Sequence, residues 1–380
     1  MPTCSADLIR GTRLALAARF GRVEVTLGER FTSSNRATVQ RALARSADGV
    51  EHAVVLKAAT GTGDSGSREQ AALRLLADRG VPGVVPLLGT TDEPPLLVLD
   101  DLGSGPTLAD RLLAQDPNAA RTAVHGWAVA LADLQANTVG LGPPYLQALR
   151  SADPAGTPST DTSRESLAEA AAVLARDLPL LGITPGDDGL EELLGLADDL
   201  DVTLPDAPGA LVPGDTCPSN AVETAAGLVL LDFESAQYRH VAWEAAYLTV
   251  PWPSCWCSWA LPADVAADAL QVWQDRLAQT LPAVSTSGFY DDLARATTGW
   301  AFISTAWFLG SAVAGDPPPP DPARRHLIPT RKALLQRRLH AVATRSPGVL
   351  PALEGLAAQT HRAMLRQWGA HELPLAPAFR

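Results

Sequence analysis

Lysine, methionine and cysteine are scarce in this 380-residue chain. The four cysteines, Cys4, Cys217, Cys255 and Cys257, make neither a zinc spacing nor a disulfide framework. Cys255 and Cys257 sit too close for an unstrained mutual bridge. All four are therefore expected as reduced thiols, with Cys217 a passive filler of its loop. No apolar run of roughly 20 residues is present to span a bilayer. The first residues are polar and predict no signal peptide. Positive charge is in deficit: 30 basic against 42 acidic residues give a formal charge of −12. That is the wrong sign for non-specific nucleic-acid binding, and it tolerates a cationic substrate. The stretch from Gly28 to Arg36 carries no Gly-x-Gly-x-x-Gly, and the chain has no internal repeat. These absences predict a cytoplasmic protein, monomer or homodimer, with neither nucleic acid nor membrane as partner.

A hydrophobic content of 46% supports a sizeable core, and the length suffices for two lobes. The chemistry concentrates between Pro213 and Glu234. Asp215 and Asn220 lie five residues apart in a Pro/Gly-rich loop. Asp232 follows the strand-like run Gly227-Leu228-Val229-Leu230-Leu231. Acid and amide in such a loop are ordinary turn formers. An acid delivered by a buried strand needs a partner or a metal. Together the oxygens of Asn220 and Asp232 suit a hard cation such as Mg²⁺. Asp215 is left to meet a substrate hydroxyl, which is the equipment of phosphoryl transfer.

This segment resembles the motif of the aminoglycoside phosphotransferase and choline kinase superfamily, His-Gly-Asp-x-x-x-x-Asn followed by Ile-Asp-Phe/Trp-Glu. Two positions depart from it: Pro213 stands in place of His, and Glu244 in place of the more frequent Asp. The resemblance implies an α+β, protein-kinase-like fold of two lobes. Residues 1–101 would form a small lobe with an antiparallel sheet and one helix, joined through a hinge at 98–103. Residues 102–380 would form a larger helical lobe with a catalytic loop at 213–220 and acceptor-binding helices across 243–310.

A kinase-like site also needs a strand-borne Lys oriented by a helix-borne Glu. His52 to Ala58 reads as a strand with Lys57 near its end. After the flexible Gly61–Ser67 stretch, Arg68 to Leu76 reads as an amphipathic helix with Glu69 in its first turn. Pro94 to Gly103 reads as an apolar strand entering an acidic turn. By resemblance, the carbonyl of Leu99 and the N–H of Asp101 there would meet adenine. The phosphate-covering loop falls by position on Gly28 to Arg36, with Ser33 and Ser34 as phosphate contacts; a plain hairpin turn fits the same residues.

Helices are expected over 119–137, 166–177, 190–201, 263–281, 290–308, 329–344 and 350–368. The stretch from Ser151 to Ser163 is expected as a mobile loop, and Asp316 to Pro322 as a stiff polyproline-like connector. Most of the nine tryptophans follow the catalytic segment. Core packing is their default. Trp252, Trp256 and Trp259, kept out of long helices by nearby prolines, are candidates for lining an acceptor pocket together with Glu234. The implied activity is transfer of phosphate from ATP, or GTP, with Mg²⁺, to a hydroxyl of a small molecule. The acceptor class spans aminoglycosides, other antibiotics, choline-like amines and sugars. The alternative is a nucleotide-binding regulator with impaired catalysis.

Overall fold

The computed structural model describes residues 4–33, 37–59, 65–204, 207–318, 327–345 and 348–380. Helix α1 (Ser5–Phe20) precedes strands β1 (Val23–Ser33), β2 (Ala37–Ser46) and β3 (Glu51–Ala59). Helix α2 (Ser65–Asp78) follows, then β4 (Leu87–Asp92) and β5 (Pro95–Asp100). The five strands form one antiparallel sheet in the order β1-β2-β3-β5-β4.

Strand side chains alternate between the two faces of a sheet. Val54, Leu56 and Ala58 of β3, with Leu96 and Val98 of β5, pack with Leu8 and Leu16 of α1 in a small core. Leu97 and Leu99 belong instead to the much larger core of the helical part. Lys57 pairs in register with Leu97. The pleat therefore turns it away from α1 and toward the helices. Helix α1 is an addition to the single helix expected here. Leu8, Thr12 and Leu16 mark its buried face at helical spacing, but the surrounding Arg and Ala dilute the pattern.

The remainder is mostly helical. It comprises α3 (Leu108–Leu113), α4 (Pro117–Ala136), α5 (Gly142–Ala152), α6 (Ser163–Asp177) and α7 (Asp187–Asp199). Four short strands follow: β6 (Gly209–Val212), β7 (Ala221–Thr224), β8 (Gly227–Leu230) and β9 (Gln237–His240). The chain closes with α8 (Ala242–Ala245), α9 (Ala263–Leu277), α10 (Ser287–Val313), α11 (Arg331–Arg345) and α12 (Pro351–Trp368). Local chemistry explains several starts. Thr107 and Asp110 form a capping box on α3. Asp116 accepts from the N–H groups of Asn118 and Ala119 ahead of α4. Helix α4 runs through the core, where the buried amide of Gln135 accepts from Trp273 Nε1 at 2.7 Å.

Two stretches are expected to be irregular. The segment before α6 is docked on β9. Tyr238 N donates to Thr160 O at 2.8 Å, and Thr162 N donates to Gln237 Oε1 at 2.9 Å. Residues 319–322 of the proline-rich connector lie outside the described residues.

Candidate active site

The hairpin of β7 and β8 sets the acidic residues. Ala221 pairs with Leu230, so Asn220 and Leu231 flank the open end of the ladder, where Leu231 N donates to Asn220 O at 2.8 Å. Asp232 then leaves the strand with φ 59°, a left-handed conformation that costs a non-glycine residue and marks functional turns. Phe233 behind it is fully buried and anchors the turn.

Lys57, one of two lysines in the chain, reaches this turn from β3. Its ammonium lies 2.7 Å from Glu69 Oε2, 2.6 Å from Asp232 Oδ1 and 3.7 Å from Glu234 Oε2. Burial alone would lower its pKa, but Glu69 and Asp232 outweigh that and hold it above the ordinary lysine value. Glu69 also accepts from Phe233 N at 3.4 Å, which ties α2 to the acidic turn. The Lys–Glu pair expected from sequence is thus formed.

Asp215 stands on the loop between β6 and β7. Pro213 before it is buried. Gly214 has φ 79°, and a Cβ there would lie 1.9 Å from Ser235 O, so only glycine lets the loop close onto the acidic turn. Asp215 Oδ1 accepts from Ser254 Oγ at 2.7 Å and from Cys217 N at 3.3 Å. Tyr247 and Ser254 share a further hydroxyl contact of 2.8 Å. Burial raises the Asp215 pKa; the Ser254 hydrogen bond opposes this, and the charges of Asp232 and Glu234 add to it. Asn220 Nδ2 donates to Asp215 O at 3.1 Å, which leaves its amide oxygen as the group that could meet a cation. The donor set of Asn220 and Asp232 is all oxygen, as a hard divalent ion requires.

Beside Asp215 lies a cavity of about 510 Å³. Glu234 is among its lining residues. Trp252, Trp256 and Trp259 are not. Trp252 and Trp259 are fully buried: Trp252 packs edge-on against Trp127, and Trp259 Nε1 donates to Leu327 O. Trp256 packs against Trp259. Their prolines keep them out of helices, yet the turns they occupy fold inward. The aromatic wall comes instead from Trp243, Trp300 and Trp307, and Arg68, Gln237, Arg239, Ser163 and Ser254 add polar groups. Trp307 is 47% exposed. None of these carried a motif. They reach the cavity from α2, β9, α6, α8 and α10, and only folding brings them together. Arg239 and Glu244 form a fully buried pair at 2.5 Å, which gives Glu244 a structural partner.

Three further expectations are corrected or bounded. The N–H of Asp101 is donated to Ala53 O at 3.2 Å, so it is not open to a base. Its carboxylate accepts from Arg41 Nε at 2.8 Å. Leu99 lies inside the sheet, paired with Val55 and Leu87. Ser33 ends β1, and Ser34 lies outside the described residues. Cys217 and Cys255 are joined in a disulfide, with Cα atoms 5.2 Å apart. Sequence spacing could not reveal this, because the bridge joins two loops 38 residues apart that only folding brings together beside Asp215. Among the described residues no helix is long and apolar enough to cross a membrane.

Comparison with known proteins agrees with this architecture. A choline/ethanolamine kinase family protein from Mesorhizobium loti is 15% identical, with a TM-score of 0.50 over 90% of this chain and 98% of that one. A Plasmodium vivax ethanolamine kinase is 11% identical, with a TM-score of 0.50 over 87% of this chain and 84% of that one. A macrolide 2'-phosphotransferase from Brachybacterium faecium is 17% identical, with a TM-score of 0.45 over 88% and 96%. At these identities the likeness concerns the fold, which is the protein-kinase-like α+β architecture. No curated protein matches in sequence. Residues 34–278, which contain Lys57, Glu69, Asp215, Asn220 and Asp232, match the phosphotransferase enzyme family, and the chain belongs to that family.

Proposed function

We propose that this protein transfers the γ-phosphoryl group of ATP to a hydroxyl of a small molecule. The observation that carries the reading is the position of Asp215: a largely buried carboxylate on the wall of a 510 Å³ cavity, held by Ser254. Lys57, fixed by Glu69, supplies the fixed positive charge for the nucleotide phosphates. Asn220 and Asp232 would hold Mg²⁺, which neutralises phosphate charge when bound. Asp215 then orients the acceptor hydroxyl and takes its proton. A regulator without turnover would have no use for a buried acid facing a cavity, since its burial costs stability.

The cavity wall favours a neutral, oxygen-rich acceptor over a polyamine. Its acids, Asp215 and Glu234, share the wall with two guanidinium groups, Arg68 and Arg239, the latter paired with Glu244, so a polycation would meet positive as well as negative charge there. Ser163 Oγ, Trp243 Nε1 and Arg239 Nε are buried there without a hydrogen-bond partner among the described residues. Such groups cost free energy unless a ligand oxygen satisfies them. The exposed face of Trp307 suits a sugar or apolar ring. The test is ADP release on a panel of hydroxylated compounds. Glycosylated neutral scaffolds should be turned over with kcat/KM at least about tenfold above polycationic aminoglycosides. Preference for the polycations would reject this acceptor class.

A further inference from the structure

The loop that carries Asp215 and the turn that carries Ser254 are joined by one covalent bond, and we propose that this bond is a reversible redox clamp on the general base. Cys217 lies two residues after Asp215, and Cys255 one residue after Ser254. The Cys217–Cys255 disulfide therefore ties together the two chain segments that supply both hydrogen bonds to Asp215 Oδ1. Packing of Trp252 and Trp259 holds the second segment in the core, and the disulfide is the covalent link between the two. Residues 213–217 and 251–259 carry no helix or strand. Without the bond, the separation of Ser254 Oγ from the carboxylate depends on the Tyr247 hydroxyl contact and on loop packing.

The chemistry is a two-electron exchange. A dithiol reductant gives two electrons and two protons to the bond. Cys217 and Cys255 become thiols, and the reductant becomes a cyclic disulfide. Oxidation by glutathione disulfide reverses this and releases two glutathione thiols. A third sulfur, that of Cys257, lies 2.6 Å from Cys255 Sγ and 3.9 Å from Cys217 Sγ. All three sulfurs are buried within 4.8 Å of one another, so any bond formed there stays local to the Asp215 loop. In the oxidised state Ser254 is held on Asp215. In the reduced state the two loops separate, and the base loses its orientation. This consequence for activity rests on the role assigned to Asp215 above; the clamp itself does not.

The test compares full-length protein oxidised with glutathione disulfide and reduced with dithiothreitol. Differential alkylation and peptide mapping should find Cys217 joined to Cys255 in the oxidised sample and both alkylated in the reduced one. Amide hydrogen exchange across 213–220 should be about tenfold faster after reduction. With an acceptor in hand, kcat should fall about tenfold, while KM for ATP stays within about twofold. The double variant Cys217→Ser/Cys255→Ser should match the reduced protein under both treatments. Equal exchange in the two states would overturn the proposal. So would a missing Cys217–Cys255 bond, or one tightly bound zinc per chain protecting all three thiols from alkylation. A protein with the exchange difference but no phosphoryl transfer would keep the clamp and reject the function.

Discussion

Burial holds the Asp215 carboxyl above the ordinary range, and Asp232 and Glu234 reinforce the shift. A carboxyl whose folded pKa is raised favours the native state below its unfolded pKa, and that advantage is lost as pH rises through the folded pKa. The ionised form, which the proposed general base needs, is the one the fold resists. Asp215→Asn should therefore raise Tm at pH 8, and the gain should shrink as the pH falls toward 4. Thermal melts across that range check it. Ser254 acts in the opposite direction, because its hydrogen bond favours the ionised acid. Ser254→Ala should lower kcat roughly tenfold and move the acidic limb of the pH profile to higher pH. Lys57, Glu69, Asp215, Asn220 and Asp232 were all legible as residues, because each sits in a local pattern of strand, helix or turn. Ser254, Arg239 and Trp307 were not, because their roles come from distant segments meeting.

At the scale of elements, the site depends on a tight junction between the Asp215 loop and the turn after β8. Gly214 is its narrowest point. Gly214→Ala combines a positive φ with a clash against Ser235 O. It should cost more than about 1 kcal/mol of stability in urea denaturation and reduce kcat more than it raises KM for ATP. The alternating runs of β3 and β5 and the amphipathic stretch of α2 were readable from periodicity. Helix α1 was obscured by its composition. The inward turns of Trp252 and Trp259 were unreadable, because proline excludes a helix without saying which way the chain then faces.

For the whole molecule, the net charge of −12 is not mirrored in the cavity beside Asp215, whose wall carries Arg68 and Arg239 as well as Asp215 and Glu234. Overall charge alone pointed toward cationic acceptors; the arrangement of Arg68 and Arg239 points away from them. Trp307→Ala should lower kcat/KM for a ring-bearing acceptor about tenfold and leave KM for ATP unchanged, as steady-state kinetics would show.

The central claim is that Asp215 is the general base of an ATP-dependent phosphotransferase. The most direct test is phosphorus NMR of acceptor, ATP and Mg²⁺ with wild-type protein and with Asp215→Ala, alongside the Mg²⁺-nucleotide thermal shift of each. The account predicts a phosphomonoester signal from the wild type, its loss by about a thousandfold in the variant, and the same nucleotide-induced Tm rise in both. Equal product formation by the two proteins would contradict it.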